Sequence, residues 1–219
     1  MIKGSGLTKT YGDLTVLKSV DINLNENEIV SIVGPSGAGK STLLQLLGTL
    51  DKPTSGSVLF GNQDISNLNQ SHLSKFRNTN IGFIFQFHHL LPEFTSLENV
   101  CMPAYINGVS KKDAAVRGKE LLTMLGLGNR IEHKPNELSG GEQQRVAVAR
   151  ALINEPKVIF ADEPSGNLDS ENANDLHNLF LRLRKELSTT FVIVTHNNEL
   201  AEIADRVIKM QDGKIVNNL

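Results

Sequence analysis

Short runs of β-branched and aliphatic residues recur along the chain, each bounded by turn-forming residues and separated by stretches with helical spacing. Residues 28–33 read as a buried strand, and residues 57–60 as a shorter one after the turn-rich Lys52, Pro53, Thr54, Ser55 and Gly56. Residues 158–161, 191–195 and 207–210 repeat the pattern. Between them, residues 40–50 and 172–187 carry helical periodicity, the latter with Leu176, Leu179, Phe180, Leu183 and Leu187 on one face. Alternation of this kind predicts an α/β fold with a mostly parallel central sheet. From residue 87 to 151 no buried strand is evident, while 112–125 and 142–152 look helical, so this stretch reads as an inserted helical subdomain. Residues 2–24, with 57–65, read as an antiparallel β subdomain laid over the core. The expected layout is one domain over 1–219. Residues 1–86 and 152–219 form the α/β core with its β subdomain, and 87–151 the helical insertion.

Composition changes this picture little. The 219 residues are 39% hydrophobic and 21% charged, and 22 Lys and Arg against 24 Asp and Glu leave a net charge of −2, without the basic excess typical of nucleic-acid binders. Cys101 is the only cysteine, which excludes an intrachain disulfide and a cysteine zinc cluster. No apolar run approaches the roughly 20 residues of a membrane helix. The expectation is a soluble intracellular chain whose membrane role, if any, comes through a partner.

The candidate chemistry is concentrated in three places. Gly34, Pro35, Ser36, Gly37, Ala38, Gly39, Lys40 and Ser41, followed by Thr42, fit the G-x-x-x-x-G-K-[ST] pattern between a strand and a helix. Backbone N–H groups of such a loop curl around a polyphosphate, and the helix N-terminus adds its dipole. Lys40 supplies charge for the β- and γ-phosphates, and the Ser41 hydroxyl a ligand for Mg²⁺. An apolar strand then delivers Asp162 and Glu163 to its carboxyl end, an expensive placement for two acids unless the charges are used. Asp162 suits a Mg²⁺-bound water or Ser41, and Glu163 the polarisation of an attacking water. His196 follows another apolar strand, where an imidazole can contact the γ-phosphate. Finally, Ser139 and Glu142 have capping-box spacing, but a cap does not require Gly140 and Gly141. The two glycines suit a second phosphate contact, read as serving the nucleotide of another subunit in a composite dimer site.

These motifs, in this order, resemble the nucleotide-binding subunits of ABC transporters: the P-loop, the Leu138–Glu142 signature LSGGE and the Asp162–Glu163 pair. Gln86, the Gly166-Asn167-Leu168-Asp169 segment and His196 match the family's Q-, D- and H-loops, and the resemblance spans nearly the whole chain. It implies a P-loop ATPase that binds ATP and Mg²⁺ and works as a homodimer coupled to integral membrane permease subunits at the cytoplasmic face of the bacterial inner membrane. No nucleic acid is expected. The resemblance further implies that Tyr11 stacks on adenine and that Gln86 senses Mg²⁺ and the attacking water. It also implies that Asp169 contacts the opposite subunit, whose γ-phosphate Ser139, Gly140 and Gly141 bind. Residues 85–100 are similar to the ATPase subunits of lipoprotein-releasing systems, in a wider group with macrolide-exporter and cell-division ATPases, although Ser165 stands where that group more often has Thr. The competing readings are an ATPase of a related macrolide-type exporter or cell-division complex and, further off, a soluble ATPase of the same type acting on DNA or ribosomes. Against the last stand the lack of sustained heptads and the presence of one P-loop and one signature.

Overall fold

The fold, a computed structural model, describes residues 1–218, with side chains for all of these except 198, 199, 217 and 218. The apolar runs become the middle of a six-stranded sheet. Its strands are β3 (Ile29–Val33), β6 (Ile81–Phe85), β7 (Val158–Asp162), β8 (Thr190–Val194), β9 (Arg206–Gln211) and β10 (Lys214–Asn218), in the order β10-β9-β3-β8-β7-β6. All neighbours pair in parallel except β10 with β9. Helices cover both faces, which is why β7 and β8 are almost continuously buried rather than alternating with solvent.

Alternation survives as a division between two cores. Val158, Phe160, Val192 and Val194 face one core, while Ile159, Ala161, Phe191 and Ile193 face the other. The first core is closed by α1 (Lys40–Leu47) and by an antiparallel sheet ordered β2-β1-β4-β5, built from β1 (Ile2–Tyr11), β2 (Leu14–Leu24), β4 (Ser55–Phe60) and β5 (Gln63–Asp64). The second takes α3 (Ser96–Ile106), α4 (Lys111–Met124), α5 (Gly140–Leu152) and α6 (Ser170–Leu187). The remaining helices are α2 (Gln70–Asn80) and α7 (Asn198–Glu202).

The α/β architecture with a largely parallel sheet and a separate antiparallel sheet is as expected. Five elements went unread in the sequence: β6, α2, α3, α7 and β10. In β6 a glycine interrupts the pattern Ile-Gly-Phe-Ile-Phe and keeps it from declaring itself. In α2 only Leu73 is buried, so no apolar stripe exists to read. α3 contains Pro103 and places Asn99 and Ser96 among its buried residues, which blurs its periodicity. Among the described residues, no helix is long and apolar enough to cross a membrane.

Candidate active site

The ends of β3, β6, β7 and β8 converge where parallel-sheet proteins bind ligands, outside the carboxyl ends of the strands. The loop after β3 is pinned at both ends. A Cβ at Gly34 would stand 2.2 Å from the Met210 carbonyl oxygen of β9, so the loop can leave the sheet there only as glycine. Gly39 then starts α1 at φ 96°, and no side chain caps the helix. The N–H groups of the first turn therefore point out of the loop with no side-chain acceptor and no acid in that turn. Lys40 Nζ donates to the carbonyls of Gly34 (2.8 Å) and Pro35 (3.1 Å), which fixes its charge against the loop. Gly34, Pro35, Ser36, Gly37, Gly39, Lys40, Ser41 and Thr42 all line one open cleft of about 580 Å³. Ala38 does not: its side chain is buried and its N–H is engaged by Pro35.

On the other wall, Asp162 is the last residue of β7, and its Oδ1 accepts from Ser41 Oγ at 3.0 Å. Burial raises the Asp162 pKa, and the Ser41 hydroxyl works against that rise. Glu163 follows with φ 47°, a left-handed conformation that an ordinary residue adopts at a cost of about 1–3 kcal/mol. The turn is held by the Glu163 N–H donating to Val194 O (2.8 Å). It aims the carboxylate at His196: Oε1 lies 2.9 Å from Nδ1, and Oε2 accepts from the His196 N–H at 3.3 Å. Ser41 and Glu163 line both this cleft and an adjoining cavity of about 220 Å³, which Gln86 and Asp162 also line. Gln86 is fastened there by Asn167, which accepts from Gln86 Nε2 (3.0 Å) and donates to Gln86 O (3.1 Å). The donor set of Ser41, Asp162 and Gln86 is all oxygen, suited to a hard cation that keeps waters and shares substrate phosphates. Among the described residues no cluster of three His, Cys, Asp or Glu forms a dedicated metal cage.

The other expected residues lie elsewhere. Tyr11 is 47% exposed at the β1–β2 turn, and its cross-strand partner Leu14 lines the phosphate cleft while Tyr11 itself does not. Its hydroxyl donates to Asp51 Oδ2 (2.8 Å), a bond that raises the Tyr11 pKa, and Lys9 Nζ sits 4.8 Å from the ring centre. Ser139, Gly140, Gly141 and Asp169 line neither cavity. Ser139 and Glu142 close a complete capping box on α5, and Asp169 caps α6 by accepting from Asn172 N at 2.8 Å. Asn167, the link between the Gln86 and Asp169 loops, was read only as part of the Asp169 segment and given no role, since an amide in a glycine-containing turn gives no periodic signal.

Set against known proteins, this arrangement has close counterparts. The family described as ABC transporter matches residues 17–166. The chain belongs to that family. As a member it is an ATP-hydrolysing cassette, similar along nearly its whole length to proteins named lipoprotein-releasing system ATP-binding protein LolD. The LolD of Bacteroides thetaiotaomicron is 61% identical over 215 residues, covering 98% of this chain and 99% of that protein. The LolD of Porphyromonas gingivalis is 55% identical over 213 residues, 97% of each. A dimeric structure of the bacterial ABC transporter cassette MJ0796 superposes with TM-score 0.91 at 43% identity, covering 100% of this chain and 98% of that one. A post-hydrolysis dimer of the same cassette, bound to ADP and Pi, gives 0.91 at 42%.

Proposed function

We propose that this cassette hydrolyses ATP as one of a pair of subunits driving a membrane permease that releases lipoproteins from the inner membrane. The observation that carries the chemistry is the convergence of Ser41, Asp162, Glu163 and His196 on the mouth of the P-loop. In this reading the P-loop N–H groups and Lys40 hold the β- and γ-phosphates. Ser41, Asp162 and Gln86 hold Mg²⁺, which supplies neutralisation of phosphate charge when bound. Glu163 orients and polarises the attacking water, and its carboxylate is aimed by two contacts from His196. Tyr11 offers its ring to the adenine. Ser139, Gly140, Gly141 and Asp169 reach no nucleotide of their own chain in this reading; they complete the site of a second copy. The arrangement of 1–86 and 152–219 as core and 87–151 as helical insertion belongs to the same proposal.

The permease docks beside Gln86, where Phe87, Leu91 and Phe94 are exposed. What supports lipoprotein as the cargo is the near-full-length likeness to LolD proteins. The cassette then sits peripherally on the cytoplasmic face of the membrane.

The test is the Glu163→Gln variant with ATP. It should bind ATP, fail to turn it over, run as a dimer on a sizing column, and bring down permease subunits and lipoproteins from detergent-solubilised membranes. A Glu163→Gln protein that stays monomeric both alone and with its membrane partners would overturn the paired site. Recovery of ribosomes or DNA-associated proteins without a permease would overturn the transport role.

A further inference from the structure

Gln144 is the one fully buried amide on α5, at 0% exposure, and it stands in the helix's apolar stripe in line with Val148 and Leu152. Its Nε2 donates to Pro164 O at 2.6 Å and to Phe85 O at 3.5 Å. Those carbonyls belong to the residue after Glu163 and the residue before Gln86. Both neighbours are acceptors, so the amide orientation is fixed: the nitrogen must face them. Oε1 finds no partner among the described residues. A residue whose only task was to fill the core would be apolar, because an unpaired buried carbonyl is unfavourable.

We propose that Gln144 is a positioning residue for hydrolysis, tying the ends of β6 and β7 to the helix that begins with the signature. One side chain thereby sets the spacing between Gln86 and Glu163 and fixes both relative to Ser139, five residues before it and at the cap of the same helix. The Gly34–Thr42 cradle is untouched by these bonds. Gln144 acts on the attacking-water side of the site and not on the phosphate-binding side. This rests on the proposed roles of Gln86 and Glu163.

The test compares the full-length wild type with Gln144→Met, which keeps the volume and removes the donors, and with Gln144→Glu, which keeps the shape and turns the donor into an acceptor. Asn154→Leu is the structural control. It also removes a part-buried amide near α5, one that donates to the Asn78 and Pro103 carbonyls away from the cleft. Both Gln144 variants should lower kcat at least ten-fold. KM, and the Kd for TNP-ATP, should stay within about three-fold, with Tm no lower than that of Asn154→Leu, which keeps its kcat. Overturning results are kcat within two-fold of wild type, nucleotide affinity falling as much as kcat, or failure of both variants to fold, which would make Gln144 a core strut. If the wild type itself shows no hydrolysis beyond that of Glu163→Gln, the proposed function fails first. If it does and Gln144→Met matches it, only this inference fails.

Discussion

Two helices of this protein begin with a glycine-rich turn, and they treat their N-termini in opposite ways. α1 starts at a left-handed glycine with no side-chain cap and no acid in its first turn. Its unpaired N–H groups and dipole face the cleft undiminished. α5 starts at Ser139, whose hydroxyl accepts from Glu142 N (3.2 Å) while Glu142 Oε2 accepts from Ser139 N (2.8 Å). That helix has closed its own end, and it carries a carboxylate in the first turn that would repel an anion. Arg130 offsets the repulsion, its Nε donating to Glu142 Oε1 at 2.8 Å. The difference separates a self-sufficient phosphate cradle from a surface that adds only a hydroxyl and glycine N–H groups to an anion held by something else. In the proposed pair, a second copy carrying its own cradle is such a holder.

The sharpest way to break this contrast is to block each helix start in turn. Ser139→Arg should leave nucleotide binding by the isolated chain within two-fold and reduce hydrolysis on the order of 10²–10³-fold, because the obstruction falls on a contact needed only in the closed pair. Equilibrium binding and a phosphate-release assay read the two effects separately, and a parallel loss of binding would mean that Ser139 supports the chain's own site. Lys40→Ala should do the reverse. ATP affinity should fall roughly 10–100-fold, the scale of charge-assisted hydrogen bonds worth about 1.5–3 kcal/mol. Undiminished affinity by calorimetry would remove α1 as the cradle.

The adjacent glycines at α5 give a finer contrast. At Gly141 a Cβ would stand 2.2 Å from Asn172 Oδ1. Asn172 cannot retreat freely, since its Nδ2 is bonded to both Asp169 oxygens. Gly141→Ala should therefore destabilise the fold by about 1–3 kcal/mol, the usual range for overpacking. At Gly140 the nearest atom to a Cβ is 3.9 Å away, so Gly140→Ala should melt like the wild type and lose turnover instead. Equal melting shifts in the two variants would remove the distinction.

That distinction also marks where sequence reading stopped. A pair of glycines in the signature was legible as room for a ligand, and Gly140 fits that. Gly141 is glycine because α6 packs against it, a long-range contact that no local pattern announces. The same holds for the site. Ser41 was legible from the G-x-x-x-x-G-K-[ST] loop into α1, and Asp162, Glu163 and His196 because each sits at or just past the end of a strand whose apolar run is plain. The bonds that aim them were not: Val194 O on the Glu163 N–H, Asn167 on Gln86, and Asp51 on the Tyr11 hydroxyl are tertiary contacts from other elements. Gln144 was the exception that could have been caught, as a polar residue inside an apolar helical stripe. The sheet was read at its inner strands β9, β3, β8 and β7 and missed at its two edges, β6 and β10.

The smallest expected effect tests how the α5 start tolerates its acid. Arg130, and then the Ser139 N–H, hold the Glu142 carboxyl down to about 2. A carboxylate whose pKa is depressed on folding adds stability that is complete above its unfolded value of about 4.5 and disappears as pH falls toward 2. Removing the guanidinium in Arg130→Met lets the carboxyl rise part of the way back. At neutral pH that variant should lose about 0.2–1 kcal/mol, since Arg130 is 43% exposed and solvent screens the pair. The loss corresponds to a few degrees in Tm at most for a chain of this size. As pH drops from about 4.5 to 2 the two melting curves should converge, because wild type surrenders the contribution that the variant never had. A gap that stays constant across that window would assign the loss to the packing of the Arg130 side chain, and the α5 start would then have to bear its acid without a compensating charge.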